Sequence, residues 1–203
     1  MKRSTCPRLS RLSLAVVVIA TVVSAAGLTE ADKKEGLTQL DRTRTGVVEA
    51  TKGLSERQWT FKPGPDRWSV AEVLEHIVVV EEFLLENTAR DVMKAPGGKP
   101  DRDYTSTDKL VLTAIADRTQ RAPEPAQPTG RWSPHETLNQ FLRIRARTTE
   151  FLKSTPGLRD HVADSPLGQP LDAYQWLLFI SAHSDRHTKQ ILEVKAHPDF
   201  PKN

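Results

Sequence analysis

Cysteine is almost absent from this chain of 203 residues, whose single thiol belongs to Cys6. One cysteine cannot form an intramolecular disulfide, and the chain beyond it has no thiolate nucleophile or thiolate metal ligand. Any metal bound by the rest of the chain must therefore be held by nitrogen and oxygen atoms. The sequence also lacks a glycine-rich phosphate loop and a stripe of interleaved aromatic and basic residues, which are features of nucleotide and nucleic-acid sites.

The first 26 residues have the pattern of a secretory signal peptide. Four basic residues precede the apolar segment 12–23, and the small residues Ser24, Ala25 and Ala26 follow it. This pattern predicts cleavage after Ala25 or Ala26 and export to the periplasm or the exterior. The uncharged stretch from Leu12 to Leu28 has 17 residues, the lower limit for spanning a bilayer, so an uncleaved membrane anchor is the alternative.

The basic character of the chain belongs to this predicted signal. The whole sequence has 29 basic and 26 acidic residues, with a pI of about 9.1. Cleavage removes four basic residues and leaves 25 basic against 26 acidic ones. A nearly neutral chain gives no support for a nucleic-acid partner. The remaining residues suffice for one domain, predicted over 29–195 and followed by a short tail over 196–203.

Apolar residues recur at helical spacing in four long segments, and no segment shows the alternation of a strand. The first segment covers 29–54, the second begins at Ser69, the third at Ser133, and the fourth runs from Asp172 to just before His197. Four long helices joined by loops of moderate length predict an all-α fold, a four-helix bundle.

Two of these helices begin with the same pattern, Trp-Ser-x-x-Glu, at residues 68–72 and 132–136. The serine is a favourable N-cap, and the glutamate three residues later completes a capping box. Shared capping chemistry explains the recurrence more simply than a duplication. Between the two helices we predict a short helix over 105–121 and a proline-rich loop over 122–130.

Three histidines are candidate metal ligands. His183 and His187 stand four residues apart on the fourth helix, so both imidazoles leave the same, otherwise apolar face. His76 occupies a similar apolar position on the second helix. Three imidazoles from two facing helices would leave a fourth coordination position open, as in catalytic metal centres. The alternative is that each is a core histidine bonded to a carbonyl or hydroxyl group.

The remaining polar residues carry weaker signals. Gln190 lies one turn beyond His187 and could reach the open position, although a solvated helix residue is the simpler interpretation. A general base stays unassigned, because the carboxylates of the second helix qualify only if the helix turns one of them inward. Those carboxylates are Glu75, Glu81 and Glu82. The other histidines are predicted to lie away from the site: His135, His161 and His197.

The sequence around the three histidines resembles the DinB-like superfamily of damage-inducible metal proteins. The resemblance rests on WSVAEVLEHI at residues 68–77 and HSDRHTKQI at 183–191. The segments PLG at 166–168 and DAYQWLLF at 172–179 strengthen it. It extends over roughly residues 29–194.

The resemblance implies a four-helix bundle with a divalent ion (zinc, nickel or iron) on His76, His183 and His187. Many members are dimers, so it also allows a homodimer. Some members hydrolyse small substrates and others are thiol S-transferases. The family is largely cytoplasmic, whereas this chain has a predicted export signal, and low-molecular-weight thiols are scarce outside the cytoplasm.

Three functional hypotheses follow. The first is an exported metal-dependent hydrolase of a small molecule. The second is a metal-dependent thiol S-transferase. The third is a bundle that binds a metal or a small molecule without catalysing a reaction.

Overall fold

Four long helices form the frame of the protein. The computed structural model describes residues 27–98, 102–114 and 122–202. The predicted signal peptide and part of the predicted short helix therefore lie outside the described residues. The long helices are α1 (Glu30–Thr51), α3 (Val70–Arg90), α5 (Pro134–Ser154) and α6 (Ala173–Lys195). Helices α1 and α3 each pack against both α5 and α6, which closes the four into a bundle.

Shorter elements complete the described part of the chain. They are α2 (Glu56–Thr60), α4 (Tyr104–Ala114), 3₁₀ turns at Val92–Lys94 and Glu124–Ala126, and strands β1 (Val162–Ala163) and β2 (Leu171–Asp172). The strands pair antiparallel, with Val162 opposite Asp172. The expectation of no strand was wrong at this ladder, because two residues are too few to show alternation. Within the described residues, no helix is both long and apolar enough to cross a membrane.

Capping boxes define where the helices begin, as the sequence pattern predicted. At the start of α3, the Glu72 carboxylate accepts the Ser69 N–H at 2.7 Å, and the Ser69 hydroxyl accepts the Glu72 N–H at 3.2 Å. Ser133 and Glu136 make the same pair at α5. At α6, Asp172 is the N-cap, and its reciprocal partner is Gln175. These contacts satisfy N–H groups that a helix start leaves without partners.

A buried arginine connects all four long helices. The Arg145 guanidinium on α5 forms two hydrogen bonds with the Glu81 carboxylate on α3, at 2.8 and 2.7 Å. It also donates to the Leu40 carbonyl and the Thr43 hydroxyl of α1, at 2.8 and 2.7 Å. A fifth bond of 2.8 Å reaches the Ser184 hydroxyl of α6. The side chains of Arg145 and Glu81 are each 1% exposed.

Replacing Arg145 with alanine is expected to lower the free energy of unfolding by about 3–5 kcal/mol, because the Glu81 carboxylate would stay buried without its partner. Urea denaturation measures the loss. Arg147→Ala on the same helix is the control, since the Arg147–Glu82 pair is 52% and 42% exposed and should contribute less than about 1 kcal/mol. Equal losses in the two variants would contradict this account.

A second buried arginine binds carboxylates on α4 and at the start of α6. Arg159 is 3% exposed and contacts the carboxylates of Asp172 and Asp108 at 3.0 and 2.7 Å. Its guanidinium also lies 5.0 Å from the ring centre of Tyr104 and 4.3 Å from that of Tyr174. Burial raises the pKa of Asp172 from 3.8 to about 6, although the Arg159 charge acts in the opposite direction.

This raised pKa predicts a pH-dependent contribution of Asp172 to stability. The folded state holds the proton more tightly than the unfolded chain, so the contribution is complete below pH 4 and is lost as the pH rises through 6. Asp172→Asn does not titrate and remains a good N-cap. The wild type should therefore lose up to about 3 kcal/mol relative to this variant between pH 4 and pH 7. Urea unfolding at several pH values tests this, and a constant difference would refute it.

Candidate metal centre

The structure brings together the three histidines that the sequence singled out. The nitrogen atoms of His76, His183 and His187 that could serve as ligands all lie within 4.8 Å of one another. The Nε2 atoms of His76 and His183 are 3.2 Å apart. The ring of His187 has its centre 4.5 Å from that of His76 and 4.4 Å from that of His183. Two facing helices thus direct three imidazoles at one point.

The helix starts and the packing of α3 on α6 explain this convergence. On α6, the four-residue spacing of His183 and His187 places their imidazoles one turn apart on the same face. On α3, the capping box at Ser69 fixes the helix start two turns before His76. Because α3 and α6 pack directly against each other, the two inward faces meet at the imidazoles.

Burial favours the neutral form of His76 and His183. His76, His183 and His187 are 4%, 8% and 2% exposed. Burial lowers the pKa of His76, and the positive charge of Arg186 adds to this effect. Burial lowers the pKa of His183 well below its ordinary value, with further contributions from the two other imidazoles and from Arg186. A neutral imidazole keeps a lone pair on one nitrogen, which is the form that binds a metal.

Contacts behind two of the rings select the tautomer that suits a ligand. The Nδ1 atom of His76 lies 2.7 Å from the carbonyl oxygen of Ala126. The Nδ1 atom of His187 lies 2.8 Å from the side-chain oxygen of Gln190. Both oxygens only accept, so each Nδ1 carries the proton and each Nε2 keeps its lone pair. The interpretation of Gln190 as a merely solvated residue was therefore wrong.

Sequence reasoning did not identify two further side chains that border the centre. The Nη1 atom of Arg186 lies 3.1 Å from Nε2 of His187. The Trp68 ring covers His76, with ring centres 4.9 Å apart. Arg186 stands three residues after His183, so helical spacing alone could have placed it near the site. Trp68 directly precedes the N-cap Ser69, where the capping pattern gives no sign of a contact with the centre.

The carboxylates considered as general bases are engaged elsewhere. Glu75 accepts hydrogen bonds from the N–H groups of Thr129 and Gly130. Glu81 pairs with Arg145, and Glu82 contacts a surface arginine. None of the three is a ligand in the histidine cluster.

The other histidines of the described chain lie away from the centre, as expected. His135 is exposed on the first turn of α5. The Nδ1 atom of His161 lies 2.7 Å from the Ala95 carbonyl oxygen. His197 follows α6 and has its ring centre 5.6 Å from that of Phe61.

The donor set fits a divalent transition-metal ion. It consists of three imidazole nitrogen atoms on two helices, and two of the rings are held from behind by an acceptor. Outer hydrogen bonds of this kind are typical of metal-ligating histidines. His76, His183 and His187 would hold the ion.

Comparisons with known proteins agree with this class of fold. The sequence profile of the DinB superfamily matches residues 39–191. The chain belongs to the DinB superfamily, as the resemblance predicted. It is also 27% identical, over 148 residues, to the uncharacterized protein YuaE of Bacillus subtilis (strain 168). The aligned region covers 71% of this chain and 87% of YuaE.

A solved structure supports the fold. YfiT from Bacillus subtilis superimposes with a TM-score of 0.52 over 82% of this chain and 87% of YfiT, at 13% sequence identity. YfiT is described as "a probable metal-dependent hydrolase with an unusual four-helix bundle topology". The likeness at this identity shows a shared helical-bundle fold.

His183→Ala is expected to remove one of the three ligands and to lose most of the bound metal. Elemental analysis of the purified protein measures this directly. The melting temperature should rise on adding metal to the wild type and should rise much less in the variant, because only a ligand that binds the folded state stabilises it. His135→Ala, which changes an exposed histidine, is the control. Equal metal content in the two variants would refute the ligand assignment.

Proposed function

We propose that this protein is an exported metal-dependent hydrolase of a small-molecule substrate. The observation that carries the proposal is the cluster of three buried imidazoles with ligand atoms within 4.8 Å. Three protein ligands leave room for water or substrate, which is the arrangement of a catalytic metal site. A divalent ion held there would supply a Lewis acid that activates water and polarises a carbonyl group. Zinc, nickel and iron all suit three imidazole ligands.

The chain's own residues prepare this site in three ways. The carbonyl of Ala126 and the side chain of Gln190 hold two ligand rings in one tautomer. Trp68 packs against His76 and excludes water from that side. Arg186 lies next to His187, so its guanidinium N–H groups are near enough to donate to a substrate oxygen at the centre.

Two further points concern location and family. Export is inferred from the basic, apolar and small-residue pattern of residues 1–26. Membership of the DinB superfamily and the description of YfiT support metal dependence and hydrolysis. The low supply of thiols outside the cytoplasm makes hydrolysis a better proposal than thiol transfer.

A second candidate function is metal binding without catalysis. It is favoured because two carboxylates of α3, those of Glu75 and Glu81, are engaged in other hydrogen bonds and do not act at the centre. With these two carboxylates committed, a hydrolase would need another proton acceptor. The activity measurement below separates the two candidates.

Protein loaded with zinc, nickel or iron is expected to hydrolyse the activated ester p-nitrophenyl acetate faster than metal-free protein does. His183→Ala should lower kcat/KM by about 100-fold or more, because both water activation and carbonyl polarisation depend on the ion. Release of p-nitrophenol measures the rate, and His135→Ala should match the wild type.

The possible results separate the three functions. A fully loaded protein that gives no metal-dependent rate would support binding without catalysis. A second assay supplies cysteine and the electrophile 1-chloro-2,4-dinitrobenzene. Metal-dependent product there, with no ester hydrolysis, would identify a thiol S-transferase instead.

A further inference from the structure

Glu75 precedes the proposed ligand His76 and points both of its carboxylate oxygens at a loop. Its side chain is 4% exposed. Oε1 accepts the Thr129 N–H at 2.8 Å, and Oε2 accepts the Gly130 N–H at 2.9 Å. The Thr129 hydroxyl lies 3.3 Å from Oε1, and Arg131 lies 3.5 Å away on the outer side. Hydrogen bonds from N–H groups to a buried carboxylate are among the stronger ones in proteins.

The same loop supplies the group that holds His76. The Ala126 carbonyl lies 2.7 Å from Nδ1 of His76, three residues before Thr129. Two adjacent residues of α3 therefore hold the segment 126–130 from one side. Because helix geometry turns neighbouring side chains about 100° apart, one directs its ring to the metal centre while the other reaches along the loop.

The loop depends on such anchors. Pro123, Pro125 and Pro128 lack an N–H group, so the segment cannot form a regular ladder of backbone bonds. Gly130 has φ of +72°, a conformation that favours glycine. This turn directs two successive N–H groups at one carboxylate.

We propose that Glu75 is a positioning residue of the metal centre. Its carboxylate holds the loop so that the Ala126 carbonyl keeps His76 in the tautomer with a free Nε2. The proposal rests on the proposed metal site. Without the carboxylate, the loop would lose two anchoring bonds, and the ring of His76 could rotate or carry its proton on Nε2. Loss of such an outer partner weakens metal binding by about 10–100-fold in known sites.

Glu75→Gln is the direct test, because an amide keeps the shape but has only one acceptor oxygen for two N–H donors. Zinc affinity is measured by competition with a chelator at pH 7.5. We expect a loss of about 10–100-fold. Long-range ¹H–¹⁵N correlation spectra of the metal-free protein report the tautomer of each histidine. The wild type should show a single Nδ1–H form of His76, and the variant a mixture.

Glu82→Gln is the control on the same helix. Its carboxylate contacts the exposed Arg147 and belongs neither to the loop contacts nor to the histidine cluster. This variant should keep the stability, the zinc affinity and the His76 tautomer of the wild type. If Glu75→Gln does not fold, Thr129→Pro removes one N–H donor from the loop side. It should shift affinity and tautomer in the same direction, by a smaller factor.

Two outcomes are decisive. Wild-type zinc affinity together with a single Nδ1–H tautomer in Glu75→Gln, or in Thr129→Pro where that variant replaces it, would overturn the positioning role. Failure of the wild type to bind zinc, nickel or iron would refute the metal centre itself. The tautomer spectra need no metal, so the contact between loop and ring is still decided in that case.

Discussion

The buried pair of Arg145 and Glu81 is the interaction on which the arrangement of the bundle depends. A guanidinium has five N–H donors in a rigid plane. Five hydrogen bonds from Arg145 reach acceptors on α1, α3 and α6. Rotation or sliding of any of these helices would leave a buried donor without its acceptor. The network therefore restricts the rotation and the axial position of every long helix relative to α5.

The position of this pair along the bundle also matters. On α1 and α3, a side chain that binds Arg145 or pairs with it lies between residues of two separate apolar clusters. On α1, Thr43 falls between Leu40 of one cluster and Val47 of the other. On α3, Glu81 falls between Ile77 and Leu84 in the same way. Apolar contacts are non-directional and tolerate sliding, whereas the polar layer between them does not.

This restraint extends to the metal centre. Ser184, which accepts a bond from Arg145, follows His183 on α6, and Glu81 lies on the helix of His76. A buried ion pair adds little net stability compared with apolar residues of the same size, because both charges lose their hydration. The contribution we assign to it here is geometric: it fixes α3 and α6 so that their histidines meet.

Sequence reasoning succeeded where local chemistry determines the structure. The serine caps at residues 69 and 133 satisfy N–H groups within one turn, and helical spacing places His183 and His187 on one face. It could not find the partner of Nδ1 of His76, because that partner is the backbone carbonyl of Ala126, and a backbone group leaves no mark on residue identity. Nor could it pair Arg145 with Glu81, 64 residues away.

The buried arginines and the buried histidines differ in how the fold compensates for their loss of hydration. Arg145 and Arg159 each meet carboxylates of opposite charge, so the fold itself compensates for burying them. The imidazoles of His76 and His183 are buried with their Nε2 atoms 3.2 Å apart, an arrangement that a metal ion bound between them would stabilise.

That environment determines which metal ions the centre suits. The part of the chain that the structure describes offers three nitrogen donors, which are poor ligands for magnesium or calcium and suit borderline ions such as zinc, nickel and iron. Affinity for such an ion would come from direct bonds to neutral, correctly oriented imidazoles. The carbonyl of Ala126, the side chain of Gln190 and the loop contacts of Glu75 supply that orientation.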